Sequence, residues 1–399
     1  MNSTMNSTAD GYCLSEEQMK LSHHTFESLV IGKIVPLLII FGISGNVVNL
    51  SVLLDGNMRT RSNTLLANLA VTDIFFLLFM IPHCMAHYRW FDHSYYFRLL
   101  YISNKMHLIA MLNWASACAI WLVLAVSLER LVVIKWPLRS RDRPILMKPA
   151  LLVLLIFVLT GLLTFYNHFA YFCPTKIFCN GTQPHAICIH SDSDQWIRPN
   201  QSNPNPAWFR AIIRWSPLVN AVVVVFVPIL LVCISNALLI LTIKKRYGRQ
   251  VPLLKETSEQ ASQQKTEQRV ARTVILIVTS FTITQGPSAV LNVAAVFQPV
   301  AVPMLTFSTF FVILGKALTF VLFCTSSSSF RQRLLHKTKL IRRQTARGIA
   351  NLPLISRMRK LTVLTQGDTQ ETHLMLSSRT SSSRFHHKTS KTSSPPIPL

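Results

Sequence analysis

The sequence predicts an all-α membrane protein. Seven helices each cross a bilayer, the N-terminus lies outside, and an amphipathic helix rests on the membrane surface after the seventh. Three observations carry that expectation. Half of the 399 residues are hydrophobic and only 14% are charged, a balance too apolar for an ordinary soluble domain. The apolar residues gather into seven blocks, 30–54, 64–88, 100–134, 149–172, 212–243, 270–297 and 304–327, each of the length a helix needs to cross about 30 Å of hydrocarbon. Finally, Lys and Arg divide 30 to 9 between the two alternating sets of connecting segments, block ends included, with Lys316 standing apart. By the positive-inside rule the richer set faces the cytoplasm.

Taken in order, residues 1–29 form a polar tail without an apolar stretch that could act as a cleavable signal, so block 1 directs insertion itself. The bundle occupies 30–330, and 331–399 form the surface helix and a disordered basic tail. Backbone groups in hydrocarbon need partners within their own segment, which makes each block a helix. Blocks 3 and 5 exceed the membrane thickness, and their polar ends belong at its surfaces. The glycosylation triplets at Asn2, Asn6 and Asn180 fall on the side that the charge rule places outside. So do Cys13, Cys173, Cys179 and Cys188, which can form two disulfides in three connectivities. Cys84, near the outer end of block 2, could join them.

Between blocks 5 and 6 the charged, Gln- and Ser-rich stretch 244–269 reads as a helical protrusion. After block 7, Phe330, Leu334, Leu335 and Leu340 alternate with Arg331, Arg333, Lys337 and Lys339, the pattern of a short interfacial helix. Residues 331–399 hold 14 basic against two acidic side chains, and the formal net charge of the chain is +24. That charge suits an anionic inner leaflet and not a nucleic-acid surface. The Ser/Thr runs after Arg379 and Lys388 suit phosphorylation.

Two ions stand deep in apolar surroundings. Asp73 lies ten residues beyond Asn63 at the start of block 2, and Lys316 ten before Ser326 at the end of block 7. At 1.5 Å per residue both are about 15 Å from the same surface. Unpaired, each is far costlier than paired, so an Asp73–Lys316 ion pair is expected, with Asn46 nearby.

Gly45-Asn46, Leu69-Ala-Val-Thr-Asp73, the run Ile120 to Arg130 ending in Ser-Leu-Glu129-Arg130, Lys135-Trp-Pro137, Pro228 and Phe281 to Pro287 together resemble the rhodopsin-like (class A) G-protein-coupled receptors. Tyr166-Asn-His168-Phe169, Ile283-Thr-Gln-Gly-Pro287 and Phe320 to Cys324 with Phe330-Arg331 look like the invertebrate myosuppressin and FMRFamide-type neuropeptide receptors within that family. The resemblance implies an extracellular ligand, a heterotrimeric G protein inside, and kinases and arrestin at the tail. It also implies switch roles for Glu129, Arg130, Phe281, Pro287 and Phe323, with a Glu129–Arg130 pair closing the resting state. In that family the residue matching Asp73 often helps to hold sodium, so Lys316 becomes a tethered substitute for that ion.

The chain departs from the family pattern in several places. Leu131 replaces the usual Tyr, Gln285 the Trp of block 6, Phe323 the Tyr of block 7, and Lys105 stands where the helix-3 disulfide cysteine is expected. Helical spacing turns His83, His87, Leu112, Asn113, Ser116, Asn220, Gln285, Ser288, Asn292 and Thr309 toward an outer cavity. Leu112 takes the place of the aspartate that binds amines, which disfavours an amine. The cavity has no carboxylate for the arginine of an RFamide peptide, so the loop acids Asp92, Asp192 and Asp194 serve, or the ligand is another peptide or a chemosensory molecule. A seven-helix transporter or channel built on Asp73 and Lys316 is the alternative from another class, and the lack of an internal repeat weighs against it. Lys316 also invites comparison with a retinal-binding lysine, yet Ile313 holds that position. No catalytic, cofactor or metal motif is read, and an enzyme is not expected.

Overall fold

The computed structural model describes residues 12–22, 24–56, 60–136, 148–196, 201–249, 258–298, 300–326 and 328–350. Among the described residues, six helices are long and apolar enough to cross a membrane: α1 (Thr25–Leu53), α2 (Arg61–Met85), α3 (Tyr95–Lys135), α4 (Pro149–His168), α5 (Ala207–Ile243) and α7 (Val302–Ser326). With α6 (Ser258–Phe297) they complete a seven-helix bundle. A further helix, α8 (Ser328–Ala350), follows.

Local chemistry explains the helix ends and breaks. Thr60 caps α2, its hydroxyl accepting from the Asn63 amide at 3.2 Å, which satisfies one of the orphan donors of a first turn. Prolines lie inside α2 (Pro82), α5 (Pro217) and α6 (Pro287), where each removes a backbone hydrogen bond. In α1 and α5 the backbone widens to π-helical turns at Val30–Ile34 and Asn220–Phe226. The second of these ends two residues before Pro228, where the freed carbonyl of a proline-containing helix is accommodated.

Among the described residues, two apolar clusters hold the bundle. Ile39 and Val35 of α1 join Phe76, Leu77 and Met80 of α2, Ala115 of α3 and Val312 and Ile313 of α7. Ala117 and Ile120 of α3 join Val224, Val225 and Ile229 of α5 and Ala289 of α6, with the partly buried Phe281 against them. Elsewhere the apolar residues point outward: Leu151, Leu154, Val158 and Leu162 form an exposed stripe along α4. A stripe of that kind is stable against lipid and costly against water. Small residues bring helices together, since a Cβ on Gly45 would stand 2.7 Å from the Cβ of Phe320.

The α4–α5 connection folds into two hairpins. Strands β1 (Tyr171–Phe172) and β4 (Ile189–His190) pair antiparallel, as do β2 (Thr175–Phe178) and β3 (Gln183–Ala186). Disulfide Cys173–Cys188 closes the base, and Cys13–Cys179 ties the N-terminal segment to the tip. The tip turns through Cys179, Asn180 and Gly181, all at positive φ, a conformation Gly and Asn adopt at least cost.

Several elements differ from the sequence expectation. Helix α3 starts at Tyr95, five residues before its apolar block, because Arg98 is fully buried there and not at a surface. Helix α8, expected to be short, is 23 residues long. Helical backbone runs on from α5 to Arg249, and α6 begins at Ser258, consistent with a protrusion of both helices; residues 250–257 lie outside the described set. So do Asn2, Asn6, Pro137 and the tail beyond Ala350. The chain divides into two compact units, Met1–Gln332 and Arg333–Leu399. The described part of the second is the helical continuation to Ala350, which carries Lys337, Lys339, Arg342 and Arg343.

Candidate functional site

The bundle opens at the end that carries Cys13 and the hairpins. There, an inner chamber of about 390 Å³ is lined by Leu112, Asn113 and Ser116 of α3, Asn220 of α5, Gln285, Ser288 and Asn292 of α6, and Thr309 of α7. An outer chamber of about 310 Å³ is lined by His83, His87, Lys105 and Glu27 among others. The two adjoin, sharing Met80, Ile109, Leu112, Leu305 and Thr309 in their walls, and together make up the candidate cavity. All ten residues selected from helical spacing therefore line it. Volumes of this size suit a small ligand or the end of a peptide.

Sequence reasoning missed Glu27, Tyr101, Tyr166 and Asn167. Tyr166 and Asn167 line the inner chamber, Glu27 and Tyr101 the outer one. The signal for Tyr166 and Asn167 was present in the quoted Tyr166-Asn-His168 run, but a block end does not show which way its side chains turn. Asn167 accepts from Asn113 Nδ2 at 3.3 Å, and His107 and His168 bring their Nδ1 atoms within 2.9 Å. These contacts form a polar seam between α3 and α4.

The inner chamber is neutral, offering carboxamides and hydroxyls. Gln285, where the family has Trp, is 2% exposed, and the Oδ1 of Asn220 is buried without a hydrogen-bond partner. In the outer chamber His83 Nδ1 lies 3.0 Å from the Tyr101 hydroxyl. Burial holds the His87 imidazole below its ordinary pKa, with Glu27 opposing the shift and Lys105 adding to it. His87 is thus neutral near pH 7.

Above the chambers, Arg98 is the anchor. Its guanidinium donates to the carbonyls of Pro184 at 3.1 Å, Asp92 at 2.8 Å and Met19. One side chain of α3 thereby fastens the β2–β3 hairpin, the α2–α3 connection and the N-terminal segment. Cys84, which could have joined the disulfides, is instead a buried thiol.

The loop carboxylates are already engaged. Arg214 binds Asp192 through two hydrogen bonds of 2.8 and 3.1 Å, Arg210 binds Asp194 at 3.0 Å, and His93 contacts Asp92. Each of these acids already has a cationic or imidazole partner of its own, which a ligand arginine would have to displace.

Deep beneath the chambers, Lys316 Nζ stands 2.8 Å from Asp73 Oδ1, with side chains 2% and 4% exposed. The ammonium also lies 4.5 Å from the centre of the Phe76 ring. Asn46 Nδ2 donates to the Lys316 carbonyl at 3.1 Å, while Asn46 Oδ1 and both polar atoms of Asn49 are buried without partners. At the opposite end of α3, Glu129 and Arg130 do not form the expected pair: no ion pair within 4 Å joins them among the described residues, and Glu129 Oε2 and Arg130 Nε lack hydrogen-bond partners. Adjacent positions on a helix point about 100° apart, so a contact between them needs both side chains to curl back. The rings of Phe323 and Phe330 pack at a tilt of 31° with centroids 5.4 Å apart, Phe323 standing where the family pattern has Tyr.

Comparison with known proteins agrees with this architecture. Residues 33–334 match the serpentine type 7TM GPCR chemoreceptor Srw family. A candidate G-protein coupled receptor of Caenorhabditis elegans is 46% identical over 85% of this chain and 80% of its own length. The sex peptide receptor-related protein 2 of the same organism is 25% identical over 77% of this chain and 70% of its own. The FMRFamide receptor of Drosophila melanogaster is 30% identical over 30% of this chain and 23% of its own. With seven helices around a polar cavity and a match across most of its length, the chain belongs to the serpentine seven-transmembrane G-protein-coupled receptor family Srw.

Proposed function

We propose that the receptor sits in the plasma membrane with its N-terminus outside, binds an extracellular neuropeptide in the two-chambered cavity, and activates a heterotrimeric G protein at the opposite face. The observation that carries the peptide reading is the cavity itself. Its inner walls are carboxamides and hydroxyls that match peptide amides, and its mouth lies beneath a disulfide-tied hairpin. Relatives named for sex peptide and FMRFamide point the same way. Kinases and arrestin act on the Ser/Thr runs of the tail, and α8 lies on the inner leaflet through its basic residues.

A peptide-library screen on cells expressing the full chain, read by calcium and cyclic AMP, tests the proposal. At least one peptide should give a saturable response whose potency falls about tenfold or more in Gln285→Leu or Asn292→Leu, the loss of one or more hydrogen bonds. Responses confined to small non-peptide compounds would replace the neuropeptide with a chemosensory ligand, in keeping with the chemoreceptor family. A ligand-independent transport current without signalling would overturn the receptor reading.

A further inference from the structure

The polar groups around the cavity are unevenly divided. Those of the inner chamber are neutral, whereas the outer chamber holds one ammonium (Lys105), two imidazoles (His83 and His87) and one carboxylate (Glu27). Glu27 already accepts from the Ser22 hydroxyl at 2.9 Å. Lys105 forms no ion pair within 4 Å and donates no hydrogen bond among the described residues. His83 Nε2 and His87 Nδ1 are buried without partners. The Tyr101 hydroxyl, 3.0 Å away, occupies His83 Nδ1 and leaves Nε2 as the ring nitrogen without a partner among the described residues. The acids that could have answered an arginine, Asp92, Asp192 and Asp194, have partners of their own.

We propose that Lys105 makes the outer chamber a seat for an anion, so that the ligand is a peptide bearing an aspartate or glutamate side chain or a free C-terminal carboxylate. An uncharged part of the same peptide enters the inner chamber. This inference rests on the peptide reading above and deepens it. A half-buried ammonium at the mouth of an enclosed cavity sees a lower effective dielectric than a surface lysine, so an arriving carboxylate gains more there than at an open surface. The position is free for this task because the α3 cysteine expected there is absent and the loop is tied instead through Cys13–Cys179.

The test uses cells expressing the full chain, unmodified or carrying Lys105→Gln, Lys105→Arg or Glu27→Gln, at matched surface levels. The probes are peptides in matched triplets that differ at one position by Asp, Asn or Lys, each made as the amide and as the free acid. The Asp or free-acid member should act at about 10- to 100-fold lower concentration than its neutral counterpart. Lys105→Gln should erase that ratio without shifting the neutral member, while Lys105→Arg and Glu27→Gln keep it. Equal potency of Asp and Asn members overturns the inference and leaves the peptide reading standing. So does preference for the Lys member together with its loss in Glu27→Gln. Silence from every triplet removes the peptide reading, and this one with it. If Lys105→Gln fails to reach the surface, the Asp-to-Asn ratio of the unmodified receptor and its survival in Lys105→Arg still decide.

Discussion

Lys316 and Asp73 face one another with almost no exposure to solvent, and each carries a desolvation cost of several kcal/mol that only its partner offsets. The Phe76 ring beneath the ammonium adds a cation–π contribution. Removing one member leaves the other charge buried and alone. Asp73→Asn or Lys316→Met should therefore lower stability by about 3–5 kcal/mol, whereas the double change to Leu and Met should be nearly neutral. Thermal unfolding of the purified chain in detergent measures both. Because the tethered ammonium stands where a free cation would meet Asp73, the same melting curves should coincide in sodium and choline chloride. In Lys316→Ser they should separate, and sodium stabilisation of the unmodified chain would refute the substitution of Lys316 for the ion. This pair was legible in the sequence, since depth along a helix is a matter of counting residues. Arg98 was not: a charge two residues before the start of an apolar block reads as a surface group until the loops that cover it are seen.

At the scale of elements, Arg98 links three segments distant in sequence through their carbonyls. The Cys13–Cys179 bridge and the bond from the Leu14 amide to Gln183 Oε1 at 2.7 Å join two of them again. The N-terminal segment and the β2–β3 hairpin thus behave as one cover whose noncovalent fastening to α3 is a guanidinium. Arg98→Ala strands three carbonyls, and with hydrogen bonds to charged donors worth about 1.5–3 kcal/mol each, a loss of roughly 3 kcal/mol or more is expected. Hydrogen exchange followed by mass spectrometry should show residues 13–20 and 175–186 loosening together; loosening of only one would separate them. Lys in place of Arg should rescue little, because an ammonium cannot reproduce the planar fork. The two disulfides needed the structure as well: four cysteines allow three pairings, and sequence carries no distance between them.

For the whole molecule, the seven spans were legible because hydrocarbon thickness, backbone satisfaction and loop charge are one-dimensional constraints. The cavity was half legible: helical spacing selected its ten residues, while the chamber division and the pairing of the loop acids depend on how the α4–α5 connection folds back. Activation is where sequence pattern and structure part. The motif Glu129-Arg130 is present, yet the two side chains are not joined by an ion pair. Without that ion pair, restraint on signalling is expected from the packing of the bundle, such as Phe281 of α6 against the cluster that α3 and α5 share. Glu129→Gln should then leave basal signalling within about twofold of the unmodified receptor, a change below 1 kcal/mol. Arg130→Ala should abolish agonist-driven signalling at equal surface expression, as the switch role that the family resemblance implies for Arg130 requires. Cyclic AMP and calcium in cells expressing each variant supply both readings. A strong rise in basal activity for Glu129→Gln would show that the carboxylate restrains Arg130 after all, through a side-chain arrangement other than the one seen. Undiminished signalling by Arg130→Ala would mean that this receptor engages its G protein without the arginine its family pattern provides.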